Sequence, residues 1–229
     1  MKQNNRHKRI IHFLGLSNGL RPLYILEEAI RYSVIQESEI VFIGDSKEGC
    51  VIDFCESQRI EYHTFESLPL DSAADFLIVI GWSYFLKDDF LQHYHFALNC
   101  HGGLLPEYRG HNPYMHAYAN MEDYFGPTIH FLTDKFDDGP IVAQMRLKLF
   151  IEDTPLMMHR RLSEASAAII PQAILLVENG FLGIPQKGVA RYFKRISREE
   201  MNTIRLQNEE NVSKNLPKIV CQCKTWTIE

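Results

Sequence analysis

The sequence has few cysteines, no long apolar run and no excess of positive charge. Its 229 residues include five scattered cysteines, and an odd, scattered set argues against a disulfide framework and fits a reducing compartment. No apolar run approaches the ~20 residues that a membrane helix needs. The net charge of −5 gives no general attraction to nucleic acid or anionic membranes. These absences predict a cytoplasmic protein with neither a membrane nor a nucleic-acid partner.

Metal-binding motifs are also missing from the sequence. Cys221 and Cys223 form a close pair, but no second Cys or His pair follows at zinc spacing. The histidines at positions 93, 95 and 116 have no carboxylate at a spacing typical of a metal site. The sequence therefore predicts no metal cofactor.

Apolar runs alternate with helical patterns along most of the chain. Strands are predicted at residues 10–14, 39–43, 60–65, 75–80, 96–99, 127–132 and 141–149, and helices at 21–32, 50–58, 114–120, 156–178 and 198–206. This alternation predicts an α/β fold with a doubly wound, mostly parallel sheet. We expect residues 1–188 to form one domain. Residues 189–229 would be a C-terminal extension that packs on this domain, helps to bind a substrate or forms part of a dimer interface.

Polar side chains are concentrated just after the predicted strand 96–99. Asn99, His101, Arg109, His111 and Asn112 lie within fourteen residues. Ligands bind beyond the carboxyl ends of strands in open parallel sheets, so this segment is a candidate site. The same residues could instead be turn formers and caps.

Asn99 and His101 are two residues apart, so in an extended chain their side chains point the same way. An amide can donate to a developing oxyanion, and an imidazole can move a proton near neutral pH. A carboxylate partner for the histidine would come from Asp134, Asp137 or Asp138. Cys100 would point to the opposite face and pack. His130, on an apolar strand, is also expected to be a core residue rather than a catalyst.

Two segments resemble the formyltransferase family that uses 10-formyltetrahydrofolate. The first is NCH at 99–101 followed by LLPEYRG at 104–110, and the second is GPTIHFLTDKFDDGPI at 126–141. They stand in the family's order and at about its spacing, and a chance match over some forty residues is improbable. One departure is Gly102-Gly103, where many members have Pro-Ser.

The resemblance implies a Rossmann-like fold and assigns residue roles. The catalytic residues would be Asn99, His101 and Asp137, with Asp138 as the neighbour that could replace Asp137. The folate would contact two segments, at Ile80, Gly81, Trp82, Tyr84, Phe85, Leu86, Thr133 and Asp134. The aromatic residues among these could equally belong to the core. No metal is implied.

The resemblance is strongest to the sugar N-formyltransferases. It implies an amino group on a nucleotide-linked sugar as acceptor, such as a dTDP-4-amino-4,6-dideoxyhexose, for O-antigen or lipopolysaccharide synthesis. The acceptor would contact Arg109, His111 and Asn112. Its phosphate would contact the loop formed by Ser17, Asn18 and Gly19, although this loop could also be a simple tight turn.

Other roles stay open. The chain could act on glycinamide ribonucleotide or be a non-catalytic binding protein of the same fold. A tRNA acceptor is not expected, because the tRNA enzymes usually carry a further C-terminal domain. Sugar enzymes of the family often dimerise, so a homodimer is possible.

Overall fold

The computed structural model of the chain describes residues 8–69 and 72–215, with side chains to residue 211. The strands are β1 Ile10–Gly15, β2 Glu39–Gly44, β3 Glu61–Thr64, β4 Ala74–Ile80, β5 Tyr94–His101, β6 Arg109–Gly110, β7 Tyr124–Phe125, β8 Thr128–Phe131, β9 Ile141–Gln144, β10 Leu147–Lys148 and β11 Tyr192–Phe193. The helices are α1 Leu20–Ala29, α2 Ser33–Gln36, α3 Cys50–Gln58, α4 Asp88–Leu91, α5 Pro113–Ala119, α6 Pro155–Glu178 and α7 Arg198–Asn215.

Seven strands form the central sheet in the order β3-β2-β1-β4-β5-β8-β9. The first five run parallel, while β8 and β9 run antiparallel to their neighbours. The order reverses about β1, as in a doubly wound fold, so the predicted α/β class is confirmed. Strands were predicted at 127–132 and 141–149, where β8 and β9 lie, but their antiparallel direction was not predicted. The segment 132–140 between β8 and β9 is too short for the crossover that a parallel return needs, so these two strands run antiparallel.

The central strands are apolar because both faces of the sheet are covered. On β4, Ile78 packs into a cluster with α1, α3 and α6. Its neighbours Leu77 and Val79 point to the opposite face, into a second cluster that contains Trp82 and Tyr94. Each such side chain, once fully buried, contributes about 1.5–3 kcal/mol of transfer free energy. This explains the continuous apolar run that predicted β4.

The helix α6 follows its sequence signals closely. The Thr154 hydroxyl accepts a hydrogen bond from the Met157 amide at 3.3 Å, and Pro155 occupies the first turn. The buried face, which includes Ile169 and Ile170, packs against α1 and the sheet. Among the described residues, no helix is long and apolar enough to cross a membrane.

Three predicted elements have different bounds in the structure. The helix predicted at 21–32 ends at Ala29 and is followed by the separate turn α2. The strand predicted at 141–149 is wrong as one element, because β9 pairs with β8 whereas β10 leaves the sheet to pair with β7. The helix predicted at 198–206 continues to Asn215.

The described part of the segment after residue 188 packs on the rest of the fold. β11 pairs with β6, and α7 packs on α5 through a small apolar cluster that includes Ile196 and Met201. The Arg205 guanidinium also lies 4.0 Å from the centre of the Tyr118 ring. The division at residue 188 stays a prediction. Cys221 and Cys223 lie outside the described residues.

Candidate active site

Strand β5 carries Asn99 and His101 to the carboxyl end of the sheet. Asn99 lies between Val79 of β4 and His130 of β8 in the strand register. His101, two residues on, is 6% exposed. Cys100 between them is fully buried in the core, as the strand alternation predicts. The polar pair therefore shares one face, at the end of the sheet where ligands bind.

The carboxylate of Asp137 meets both of these side chains. Its Oδ1 lies 3.2 Å from His101 Nδ1 and accepts a hydrogen bond from Asn99 Nδ2 at 3.3 Å. Its Oδ2 accepts a hydrogen bond from the Gly110 amide at 2.9 Å. Asp137 holds a positive φ of 51°, which costs a non-glycine residue free energy. The turn is thus shaped so that this carboxylate reaches the end of β5.

The electrostatics of the cluster favour an ionised carboxylate. Burial raises the pKa of Asp137, but the positive charge of His101 and hydrogen bonds from His101 and the Gly110 amide outweigh it and hold this pKa well below its usual range. The other ring nitrogen of His101, Nε2, lies 2.6 Å from the Tyr108 carbonyl oxygen. Both ring nitrogens face hydrogen-bond acceptors, so a ring that carries a proton on each nitrogen could donate at both.

The other two candidate carboxylates point elsewhere. Asp138 forms an ion pair with Arg109 at 2.5 Å. Asp134 is exposed in the loop after β8. Of the three predicted carboxylates, the structure places Asp137 against His101.

His130 is more than the core residue that the sequence predicted. It is 1% exposed, but its Nε2 lies 3.1 Å from Asn99 Nδ2 and its Nδ1 lies 2.8 Å from the Phe131 carbonyl oxygen. A neutral ring that donates from Nδ1 therefore accepts from the Asn99 amide and fixes its orientation. The position of His130 directly opposite Asn99 in the strand register indicates this role, and that position is known only once β5 and β8 are paired.

The predicted folate segments lie beside this cluster. Gly81 has a φ of 66°, and a Cβ built there would meet no atom within 4 Å. Tyr84 and Phe85 are 68% and 49% exposed, and the Phe85 ring lies 5.6 Å from that of Phe136, next to Asp137. These side chains form an exposed aromatic rim, as a flat ligand would require.

The remaining predicted folate residues offer less side-chain surface. Ile80 and Leu86 are buried in the core, so only their backbone could meet a ligand. Trp82 packs against Phe65. The Thr133 hydroxyl donates to the Lys135 carbonyl oxygen at 3.1 Å.

In the predicted phosphate loop, the Ser17 and Gly19 donors already form hydrogen bonds to other protein groups. Ser17 is fully buried, its amide donates to the Asp45 carboxylate at 2.7 Å, and its hydroxyl donates to the Ser46 carbonyl oxygen at 2.8 Å. The Gly19 amide donates to the Leu16 carbonyl oxygen. This arrangement is that of a self-contained tight turn, and Asn18 remains exposed on it.

The predicted acceptor residues differ in exposure. Arg109 is 7% exposed, and its guanidinium contacts Asp138 and Gln186. His111 and Asn112 are exposed beside it, at the start of α5.

Within the described part of the chain, no group of three or more His, Cys, Asp or Glu side chains could hold a metal ion.

The sequence profile of the family described as "Formyl transferase" matches residues 32–174, well over half of the chain. The chain belongs to the formyl transferase family. The matched region contains Asn99, His101, His130 and Asp137. The predicted family is thereby confirmed.

Individual relatives differ in what they are named for. A methionyl-tRNA formyltransferase of Borrelia garinii subsp. bavariensis is 28% identical over 170 residues, which are 74% of this chain and 53% of that protein. The chain thus spans about half the length of this curated relative.

Two solved structures share the fold. The phosphoribosylglycinamide formyltransferase of Anaplasma phagocytophilum matches with a TM-score of 0.63 and 20% identity, over 82% of this chain and 99% of that one. An N-formyltransferase of Helicobacter canadensis, in complex with folinic acid and dTDP-3-aminofucose, matches with a TM-score of 0.62 and 17% identity, over 82% and 71%.

Proposed function

We propose that this chain transfers a formyl group from 10-formyltetrahydrofolate to an amine, with Asn99, His101 and Asp137 as its catalytic residues. The convergence of these three side chains at the carboxyl end of β5 carries the proposal. Membership of the formyl transferase family supports the donor, as does the folinic acid bound to the Helicobacter relative.

The reaction forms one carbon–nitrogen bond and breaks another. The acceptor nitrogen attacks the formyl carbon, and the carbonyl oxygen becomes an oxyanion. The bond from this carbon to N10 of the folate then breaks, and a proton from the acceptor amine, carried by water, ends on N10. The products are the formamide and tetrahydrofolate, so atoms and charge balance.

Asn99 and His101 would stabilise the oxyanion. The imidazolium of His101 supplies a positive charge, and the Asn99 amide supplies an N–H. Both amide hydrogens of Asn99 are engaged in this structure, by His130 and by Asp137. The bond to Asp137 is the longer one, at 3.3 Å, so it is the one that Asn99 exchanges for the substrate oxygen.

Asp137 would act mainly by its charge. Because its pKa lies well below the usual range, it is a weak base and stays ionised throughout the catalytic pH range. An ionised carboxylate 3.2 Å from His101 Nδ1 would orient the ring and supply the counter-charge for an imidazolium.

The folate would lie between the segment from Ile80 to Leu86 and the loop that holds Thr133 and Asp134. The exposed rings of Tyr84 and Phe85 and the open backbone at Gly81 suit a flat ring with a polar edge. The Phe85 ring contacts that of Phe136, the neighbour of Asp137, so this segment lies near the catalytic residues, as transfer of the formyl group requires.

For the acceptor we propose the amino group of a nucleotide-linked sugar, such as a dTDP-4-amino-4,6-dideoxyhexose used for surface polysaccharide. The nucleotide sugar bound to the Helicobacter relative supports this choice. The exposed His111 and Asn112 would contact it beside Arg109, and the exposed Asn18 would contact its phosphate. A cytoplasmic location and a homodimer stay predictions.

An acceptor panel tests both levels of the proposal. The protein is incubated with 10-formyltetrahydrofolate and several dTDP-amino sugars, glycinamide ribonucleotide or methionyl-tRNA, and tetrahydrofolate release is measured. Fastest turnover with an amino sugar is the expected result. Glycinamide ribonucleotide or methionyl-tRNA as the best acceptor would overturn the sugar assignment, and each is favoured by a named relative. No transfer to any acceptor, with folate still bound, would identify a binding protein instead.

A further inference from the structure

Gln186 joins two parts of the site from a distant position in the sequence. It lies in the irregular segment between α6 and β11, and its side chain reaches back to the turn that carries Asp137. Its Nε2 donates to the carbonyl oxygens of Asp137 and Gly139, each at 2.9 Å. Its Oε1 accepts from Arg109 Nη2 at 2.6 Å and from Arg109 Nε at 3.2 Å.

These contacts fix the orientation of the Gln186 amide. Arg109 offers only donors, so the amide oxygen must face it and the amide nitrogen must face the turn. Arg109 is itself held by the carboxylate of Asp138, in the same turn. A small polar network therefore joins Gln186, Arg109 and the turn from 137 to 139, and each of the three contacts the other two.

The backbone of this turn needs outside support. Asp137 has a φ of 51°, a conformation that costs about 1–3 kcal/mol for a non-glycine residue. Gly139 is packed so tightly that an added Cβ would lie 1.8 Å from the Phe131 carbonyl oxygen. The two bonds from Gln186 hold the carbonyl groups of both residues, so they oppose relaxation of the turn.

We propose that Gln186 is a positioning residue, which holds the Asp137 carboxylate against His101 and Asn99 without touching the reacting atoms. The inference rests on the proposed formyl transfer. This role differs from that of a residue that binds the acceptor, because Gln186 would act on the Asp137 carboxylate through the backbone of the turn.

The variant Gln186→Met removes all four polar contacts at similar volume. We expect kcat to fall about tenfold to a hundredfold, the range found when a residue that orients a metal ligand is removed. The KM values for folate and acceptor should change less than threefold. Asn208→Ala is the matched control, since Asn208 Nδ2 also donates to a backbone carbonyl, that of Ala119, away from Asp137. If kcat falls equally in both variants, or by less than twofold in Gln186→Met, the proposal is overturned.

A second variant separates the turn from Arg109. Gln186→Glu keeps an oxygen for the Arg109 guanidinium but removes the N–H groups that hold the two carbonyls. We expect a loss of kcat at least as large as in Gln186→Met. Wild-type kcat in Gln186→Glu would show that the contact with Arg109 is what matters, and would contradict the proposal.

A spectroscopic measurement makes the test independent of turnover. The proton between His101 Nδ1 and the Asp137 carboxylate should give a downfield ¹H resonance in the wild-type protein, assigned by its loss in His101→Gln. We expect this resonance to shift or disappear in Gln186→Met and to persist in Asn208→Ala. An unchanged resonance in Gln186→Met refutes the positioning role even if no acceptor is found. Failure of the acceptor panel alone would refute only the proposed function.

Discussion

Replacing Asp137 by asparagine tests the charge of the cluster with little change in size. The donors His101 Nδ1 and Asn99 Nδ2 face Oδ1, and the Gly110 amide faces Oδ2. An asparagine places its NH₂ group at one of these two positions, so at least one donor meets a donor in either orientation. The variant therefore loses a charge and at least one hydrogen bond.

The expected effect on activity follows from these contacts. Without the carboxylate the imidazolium of His101 loses its counter-charge, and we expect kcat to fall about 10²–10⁴-fold, or roughly 2.7–5.5 kcal/mol of activation free energy. An unsatisfied buried donor should also lower the free energy of unfolding by about 1–3 kcal/mol. Because the folded pKa of Asp137 is lowered, its contribution to stability is complete above the unfolded pKa, near 4, and is lost as pH falls below it.

Tetrahydrofolate release by Asp137→Asn would be compared with that of Asp138→Asn. Asp138 has the same side chain one position on, but it pairs with Arg109 and not with His101. Circular dichroism confirms that both variants are folded at the assay temperature. If Asp137→Asn keeps more than a tenth of wild-type kcat, or if Asp138→Asn loses more, the assignment of the catalytic carboxylate is wrong.

Three further predictions concern neighbouring groups. His130→Ala leaves the Asn99 amide without its acceptor, and kcat should fall about 10–100-fold with KM for folate unchanged in steady-state assays. Gly139→Ala places a Cβ 1.8 Å from the Phe131 carbonyl oxygen, so the melting temperature should fall and activity should be lost. Burial and the nearby His63 lower the pKa of His12 to about 4, so the unfolded state binds the extra proton as pH falls from 7 to 5. The free energy of unfolding would be measured by urea titration at pH 7 and pH 5. Between these values it should fall by about 1 kcal/mol less in His12→Gln than in the wild-type protein, with allowance for solvent screening. An equal fall in both proteins would contradict this prediction.

The sequence was informative where the signal was local. The continuous apolar run of β4, the cap and first-turn proline of α6 and the bounds of α3 all follow from nearby residues. Strand alternation alone predicts that Asn99 and His101 lie on the same face of the sheet, because residues two apart in a strand share a face. The family resemblance then assigned these residues a role that spacing alone left open.

The tertiary structure decided what depends on contacts between distant segments. The choice of Asp137 over Asp138 depends on a left-handed backbone turn, which aims one carboxylate at His101 and the other at Arg109. The contact of His130 with Asn99 depends on the antiparallel register of β5 and β8. Gln186 approaches the turn from 49 residues away along the chain, a distance at which no local pattern indicates a partner. Strand period and apolar runs are properties of neighbouring residues, whereas the polar cluster exists only once the sheet, the turn and the segment after α6 are packed together.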